Sequence, residues 1–154
     1  MNLTLVPVTE QNRAQAEKLS VCPGQEHFIE TVAECLSEAD TLSEWEPVCI
    51  QDGEKMVGFA MYGLIHEPKY TRVWFDRFLI DGSCQHHGYG RQAVRTILHQ
   101  LRKEFPGENI YLSAYEDNQV AISLYASFGF RFNGELDING EKVMVLPAAE
   151  VPAE

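Results

Sequence analysis

The 154-residue chain lacks the sequence features of several large protein classes. No apolar run approaches the roughly 20 residues that span a bilayer, and the N-terminus has no basic and apolar signal segment. The four cysteines form no C-x-x-C pair, and the five histidines show no ligand spacing beyond the adjacent His86 and His87. Neither a disulfide framework nor a metal site is therefore expected. These absences predict a cytoplasmic protein that is not inserted in a membrane.

Basic residues are also scarce. Only 12 Lys and Arg accompany 23 Asp and Glu, which gives a formal net charge of −11. A surface this acidic repels nucleic acid and anionic membranes and attracts cations. Solubility by itself also explains a high negative charge. The composition does not distinguish between these two explanations. We therefore expect a small-molecule partner and no nucleic acid.

Hydrophobic periodicity divides the chain into strands and helices in the order β, α, α, β, β, β, α, β, α, β, β. The predicted strands are 3–8, 47–51, 55–65, 73–81, 110–115, 130–135 and 142–146. The predicted helices run from a Thr9 cap to about 19, over 28–39, from a glycine turn to about 105, and over 118–128 with Gly129 as the C-cap. This order predicts one mixed α/β domain over residues 1–147, followed by a frayed tail at 148–154.

The segment 85–90, Gln-His-His-Gly-Tyr-Gly, is the most informative part of the chain. It follows the predicted strand Val73–Asp81 and precedes an amphipathic helix. Gly88 and Gly90 therefore lie where a strand leads into a helix N-terminus, whose bare backbone N–H groups and positive dipole end favour an anion. A phosphate or pyrophosphate is the expected guest, although a loop that needs positive φ explains two glycines equally well. The pattern is neither a Walker A loop nor a three-glycine dinucleotide fingerprint.

This segment resembles the Gln/Arg-x-x-Gly-x-Gly signature of the GNAT superfamily of N-acetyltransferases. A downstream stretch is similar to the second signature of that superfamily and reads Asn118-x-x-Ala121-x-x-Leu124-Tyr125-x-x-x-Gly129-Phe130. Segments 57–63, 74–81 and 130–145 closely resemble the bacterial spermine/spermidine (diamine) N-acetyltransferase branch, so the resemblance covers essentially the whole domain. One departure is His86, where the family commonly has glycine, and a positive φ there would strain the histidine.

The resemblance implies the GNAT fold, a central and mostly antiparallel sheet that splays between its fourth and fifth strands, with helices on both faces. It implies acetyl-CoA as the co-substrate, no metal, and a homodimer. In the family the strand before the glycine turn and the later asparagine contact the pantetheine arm, and the turn holds the pyrophosphate. The residues that this implies for acetyl-CoA are Phe78, Leu79, Ile80, Gln85, His86, His87, Gly88, Tyr89, Gly90, Arg91 and Asn118.

Amine acetylation also needs an acid and a base. The Tyr125 phenol titrates near about 10 and is protonated at neutral pH. Because the matching tyrosine of the family lies beside the CoA sulfur, the resemblance implies Tyr125 as the acid, with a packing tyrosine as the alternative. Asp76 lies in a strand where burial of an unpaired carboxylate is costly. Arg77 is predicted to be a poor partner because strand neighbours point to opposite faces, and the role of Asp76 as base or amine anchor stays open.

The acceptor that the resemblance and the acidity together favour is a polyamine, a flexible polycation. The carboxylates expected near its pocket are Glu26, Glu30 and Glu34 on one face of the second helix, and Glu135 and Asp137 in the closing hairpin. Of these, Glu30 and Glu34 are assigned to the substrate together with Asp76, although spaced glutamates also fit a solvated helix face. The predicted function is acetyl-CoA-dependent acetylation of spermine or spermidine. The alternatives are another amine (a protein N-terminus, an amino acid or an aminoglycoside) and a non-catalytic acyl-CoA-binding module.

Overall fold

The computed structural model describes residues 2–151. Over these residues the strands and helices follow the predicted order. The strands are β1 Leu3–Pro7, β2 Glu46–Asp52, β3 Lys55–His66, β4 Thr71–Ile80, β5 Ile110–Ala114, β6 Arg131–Leu136 and β7 Lys142–Leu146. The helices are α1 Arg13–Ala16, α2 Val32–Thr41, α3 Tyr89–Glu104 and α4 Gln119–Ser127. Short 3-10 turns cover Glu26–Phe28, Gly82–Cys84 and Ala148–Glu150. The mixed α/β class is confirmed.

The strands form one seven-stranded sheet in the order β1-β2-β3-β4-β5-β7-β6. Neighbours are antiparallel except β4 and β5, which are parallel and pair only at Val73–Ile110 and Trp74–Tyr111. Beyond Trp74 the two strands separate, so β4 continues to Ile80 without pairing to β5. The predicted splay between the fourth and fifth strands is confirmed, and it opens the cleft described below.

Helices cover both faces of this sheet. Along β2, Val48 and Ile50 join the core under α3 and α4, whereas Cys49 between them joins the core under α1 and α2. This alternation is the period of two that strands impose. The apolar stripe of α3 is fully buried and consists of Ala93, Val94, Ile97, Leu98 and Leu101. Each large side chain in it stabilises the fold by roughly 1.5–3 kcal/mol. No helix within residues 2–151 is long and apolar enough to cross a membrane.

The first two helices are shorter than predicted. The α1 helix has only four residues, and its N-cap is Asn12 rather than Thr9; Asn12 Oδ1 accepts from the Thr9 N–H at 2.8 Å. The α2 helix begins at Val32 because Thr31 and Glu34 form a reciprocal capping box that fixes its start. The segment before it therefore stays outside the helix, and Ile29 has an extended backbone.

The chain end differs from the predicted frayed tail as far as it is described. Ala148–Glu150 form a turn, and the Ala148 N–H donates to Asn109 Oδ1 at 2.9 Å. Val151 is 7% exposed and belongs to the core under α3. Burial of this apolar side chain anchors the segment that its position at the chain end marked as loose. Residues 152–154 lie outside the described residues.

Candidate active site

The main cleft lies where β4 and β5 separate, and its volume is about 260 Å³. Its walls come from the second half of β4, the end of β5, the glycine turn, α4 and the loop before α2. Ligand sites commonly occur at such breaks in a sheet, outside the carboxyl ends of parallel strands. Nine of the sequence-predicted residues meet here, and they are Asp76, Phe78, Leu79, Ile80, Gln85, His86, Gly90, Asn118 and Tyr125.

A β-bulge shapes the β4 wall of the cleft. Phe59 pairs with Leu79 but Met61 pairs with Asp76, so Arg77 and Phe78 both lie opposite the single residue Ala60. Arg77 has φ +54°, a left-handed conformation that costs a non-glycine residue roughly 1–2 kcal/mol. Phe78 consequently packs against Phe75, with ring centroids 5.7 Å apart, on the side away from the one that strict alternation predicted.

The bulge also overturns the predicted separation of Asp76 from Arg77. Arg77 Nη1 lies 3.6 Å from Asp76 Oδ2, and the Arg77 N–H donates to Asp76 Oδ1 at 3.1 Å. Adjacent strand residues diverge only in a regular strand, and φ +54° breaks that regularity. The Asp76 side chain is 17% exposed. Burial raises the pKa of Asp76 to about 6, against the opposing effects of the Arg77 charge and N–H.

Tyr125 reaches the cleft from the last turns of α4. Its ring packs edge-on against Phe75 and Phe130, with centroid distances of 6.2 and 6.0 Å. The residue is 8% exposed, and burial together with the charges of Asp76 and Glu141 raises the pKa of its phenol. Tyr125 is therefore protonated at neutral pH and able to donate a proton into the cleft.

The glycine turn places the N-terminus of α3 at the opposite end of the cleft. Gly88 is the N-cap at φ +82°, and within residues 2–151 no atom beyond its chain neighbours lies within 4 Å of a Cβ built on it. At Gly90 such a Cβ lies 3.6 Å from Leu124 Cδ2. The first turn of this 16-residue helix carries no acidic side chain. Open space in front of bare N–H groups at a helix N-terminus fits a phosphate.

His86 does adopt the positive φ that the family position was expected to need, at +65°. His87 turns away instead, with Nδ1 3.2 Å from the Cys84 carbonyl oxygen. Within residues 2–151 no group of three or more His, Cys, Asp or Glu side chains is arranged to hold a metal ion. Tyr89 donates its hydroxyl to Asp52 at 2.6 Å, and the Arg91 guanidinium lies 5.5 Å from the Phe128 ring centroid. His87, Gly88, Tyr89 and Arg91 are thus part of the turn but do not line the cleft.

Two other predicted cofactor residues are engaged by neighbouring protein groups. Gln85 Nε2 donates to Gln25 Oε1 and to the Ile80 carbonyl, both at 3.0 Å, so this amide ties the loop before α2 to the end of β4. Asn118 is the N-cap of α4, and its Oδ1 accepts from Ala121 N–H at 3.4 Å.

The acidic residues assigned to the acceptor do not share one helix face. Glu30 precedes α2 and lies 2.7 Å from Arg77 Nε, with Glu38 3.2 Å from Arg77 Nη2. Glu34 serves the capping box of α2 and does not line the cleft. Glu26 belongs to a separate 3-10 turn. Because α2 begins only at Val32, Glu26 and Glu30 lie before the helix. The spacing of four residues between these glutamates and Glu34 therefore does not place the three side chains on one helix face.

The closing hairpin supplies a cleft residue that sequence reasoning missed. Glu135 is occupied by a bidentate pair with Arg72, at 2.9 Å for both contacts. Glu141, by contrast, lines the cleft although it is only 5% exposed. Burial, hydrogen bonding to Asp137 and the charges of Asp137 and Asp76 raise the pKa of Glu141 to about 8, against the charge of Arg77. A glutamate after an Asn-Gly turn looks solvent-exposed in sequence, so no local signal marked it.

A helix N-terminus open to an anion, joined through one cleft to buried proton donors and acceptors, is the arrangement of a group-transfer site. The model of the acetyltransferase (GNAT) family matches residues 13–130, and the chain belongs to that family. The resemblance seen in the signatures is thereby confirmed.

Two kinds of relative were found. The spermine/spermidine N(1)-acetyltransferase of Bacillus subtilis (strain 168) is 43% identical over 149 residues, which cover 94% of this chain and 98% of that protein. A structure of spermidine N-acetyltransferase from Vibrio cholerae, in complex with CoA and spermine, has a TM-score of 0.73 at 18% identity and covers 97% of each chain. A structure of aminoglycoside acetyltransferase AAC(6')-Ib with coenzyme A has a TM-score of 0.79 at 19% identity, covering 97% of this chain and 96% of that one.

Proposed function

We propose that this protein transfers an acetyl group directly from acetyl-CoA to a primary amine of spermine or spermidine. The observation that carries the proposal is the charge arrangement of the cleft. One end presents the N-terminus of α3 to an anion, and the other presents buried carboxylates beside the Tyr125 phenol. A donor that carries phosphates and an acceptor that carries ammonium groups match these two ends.

Acetyl-CoA supplies the activated acetyl group. The open space at Gly88 and the backbone N–H groups of residues 86–91 suit its pyrophosphate. Phe78, Leu79 and Ile80 line the cleft between that end and Asp76, which suits the pantetheine arm. Asn118 lines the same stretch from α4.

The acceptor poses a protonation problem, since an aliphatic amine with a pKa near about 10.4 is the free nucleophile in only about one molecule in 10³ at neutral pH. A carboxylate must therefore receive a proton before attack on the thioester. The leaving sulfur then needs a proton, and the Tyr125 phenol lines the cleft and holds one at neutral pH.

The choice of a polyamine rests on two supports, the acidic end of the cleft and the relative from B. subtilis at 43% identity. Fold likeness does not select the acceptor, because the aminoglycoside enzyme has a TM-score as high as that of the V. cholerae enzyme. Another amine acceptor is the second candidate for that reason.

A thiol-release assay with acetyl-CoA and a panel of amines tests the proposal. We expect spermine and spermidine to be better substrates than a monoamine of equal reach. Their turnover should also fall more steeply with salt, because attraction to a protein of charge −11 is screened beyond about 8 Å at physiological ionic strength. A better monoamine with the same salt response would exclude the polyamine assignment. CoA binding without turnover of any amine would indicate a non-catalytic module.

We further propose a homodimer, as the family resemblance implies, and a cytoplasmic location, as the sequence predicts. The edge strand β6 and its turn expose Phe132, Leu136 and Ile138, which are 46%, 66% and 99% accessible. Exposed apolar side chains on an unpaired strand edge favour association of copies. Light scattering of the purified protein gives the mass directly, and a monomer at micromolar concentration would contradict the dimer.

A further inference from the structure

Glu141 is positioned by a rigid turn at the acidic end of the cleft. Asp137 Oδ1 accepts from Asn139 N–H at 2.9 Å and from Glu141 N–H at 2.8 Å. The Asp137 N–H donates to the Glu141 carbonyl at 2.9 Å, which closes the turn. Lys142 follows and pairs with Ala114 at the end of β5. The turn therefore fixes the Glu141 backbone next to the opening between β4 and β5.

The carboxylate of Glu141 has an unused oxygen in this position. Its Oε2 is buried and has no hydrogen-bond partner among residues 2–151. Leaving a buried acceptor unsatisfied is unfavourable, and such groups in native proteins call for a functional explanation. Because Glu141 lines the cleft, a hydrogen-bond donor that binds in the cleft is a suitable partner for this oxygen.

Asp76 lines the same cleft as Glu141, but its carboxylate already has partners. Its carboxylate already accepts from the Arg77 N–H and lies 3.6 Å from the Arg77 guanidinium. A carboxylate held by a fixed cation is a good electrostatic anchor, and the charge of Arg77 lowers its proton affinity, against the burial that raises it. Glu141 has no basic residue in its own turn, so the two carboxyl groups are suited to different tasks.

The charged and titratable groups around Glu141 come from every element packed against it. Asp137 faces it from the turn, Asp76 and Arg77 from β4, Tyr115 from the end of β5 and Tyr125 from α4. Of these only Arg77 is a cation, and it also serves Glu30 and Glu38. Glu141 is therefore a stronger proton acceptor than an ordinary glutamate.

We propose that Glu141 takes the proton from the acceptor ammonium and that Asp76 is the fixed anion that orients this ammonium. This inference rests on the proposed acetylation of an amine. Glu141 receives one N–H proton, and the freed nitrogen lone pair forms the N–C bond while the C–S bond breaks. Tyr125 gives its phenol proton to the departing sulfur and regains a proton from the nitrogen. Glu141 releases the remaining proton to water, so the balance is one amide, one thiol and one proton.

The test compares Glu141→Gln and Glu141→Asp with the wild-type protein across pH. The matched control is Glu116→Gln, which removes a carboxylate that is 76% exposed and pairs with the neighbouring Lys142. We expect Glu141→Gln to lower kcat/KM at about pH 8 by about 10²-fold or more, with CoA affinity unchanged. Its deficit should shrink as pH approaches about 10, where the amine loses its proton unaided. Glu141→Asp should retain the wild-type pH profile at reduced rate, and the control should keep full activity.

The outcomes separate this inference from the proposed function. A wild-type protein that acetylates no amine would remove both. If the wild type acetylates an amine other than a polyamine, the acceptor assignment fails, and the same variants then decide the role of Glu141 with that amine. If Glu141→Gln keeps the wild-type pH profile, the inference is overturned. This holds whether the variant keeps its activity, shows only a higher KM, or loses rate and melting temperature together.

Discussion

The two ends of the cleft differ in the groups that they offer to a charged ligand. At the α3 end the positive potential comes from backbone N–H groups, and no acidic side chain occupies the first turn of the helix. At the other end the acidic groups are side chains, chiefly Asp76 on β4 and Glu141 just before β7, which are far apart in sequence. A backbone site depends on local conformation, whereas a side-chain site depends on how separate elements pack. Substitutions at the two ends should therefore fail in different ways.

Tyr125→Phe should have the largest effect, since the phenol beside the buried carboxylates is the group assigned to protonate the leaving sulfur. Loss of the proton donor should lower kcat by about 10²-fold or more and leave CoA affinity nearly unchanged. Tyr111→Phe is a control that removes a hydroxyl from a half-buried ring outside the cleft. Full turnover with a lower melting temperature in Tyr125→Phe would make this residue a packing residue only.

Asp76→Asn should affect the acceptor rather than the donor. Without the fixed anion we expect the polyamine KM to rise about tenfold, with a smaller change in kcat and none in CoA affinity. Steady-state kinetics at saturating acetyl-CoA measures this directly. A fall in kcat with unchanged KM would instead make Asp76 the base and reverse the division of roles with Glu141.

Gly88→Ala should weaken CoA binding by about tenfold, because a left-handed φ of +82° disfavours any side chain and the turn must shift. Gly107→Ala is its matched control, with φ +80°, open space around the Cβ and a position away from the cleft. Calorimetry should show weaker CoA binding in the first variant only, while both melt at lower temperature. Equal CoA affinity in the two variants would contradict a pyrophosphate site at this turn.

The smallest expected effects are on stability. They distinguish a carboxyl group whose pKa is only raised by its surroundings from one that also takes part in catalysis. Burial, with hydrogen bonding to Glu104 and its charge, raises the pKa of Glu46 to about 7, yet Glu46 does not line the cleft. Folded Glu46 and Glu141 hold protons that the unfolded chain releases, so their contribution to stability is present below about pH 4.5 and is lost as pH rises through about 7 and about 8.

Relative to the wild type, Glu46→Gln and Glu141→Gln should therefore each raise the melting temperature by about 2–4 °C more at about pH 9 than at about pH 5. Only Glu141→Gln should change the kinetics. Loss of activity in Glu46→Gln would contradict the assignment of catalysis to the cleft alone. Thermal scans at the two pH values, with the kinetics measured on the same preparations, make the comparison.

Local sequence patterns predicted much of the fold. Periodicity identified the buried stripe of α3 because a helix presents every third or fourth residue to the same side. The Asn118 cap and the start of α3 after the glycine turn also follow from short-range chemistry. The lengths of α1 and α2 did not, since the hydrogen bond from Thr9 N–H to Asn12 and the capping box at Thr31 compete with a longer apolar pattern.

The sequence by itself determined the order of elements, the family and the glycine turn at the start of α3, because each depends on residues close together in the chain. Only the tertiary structure decided the acidic end of the cleft. The bulge at Arg77 joins this residue to Asp76, and the β6–β7 turn carries Glu141 to the same place. A bulge is a mismatch between two paired strands, and burial of a distant glutamate depends on which elements cover it, so neither is written in a local pattern.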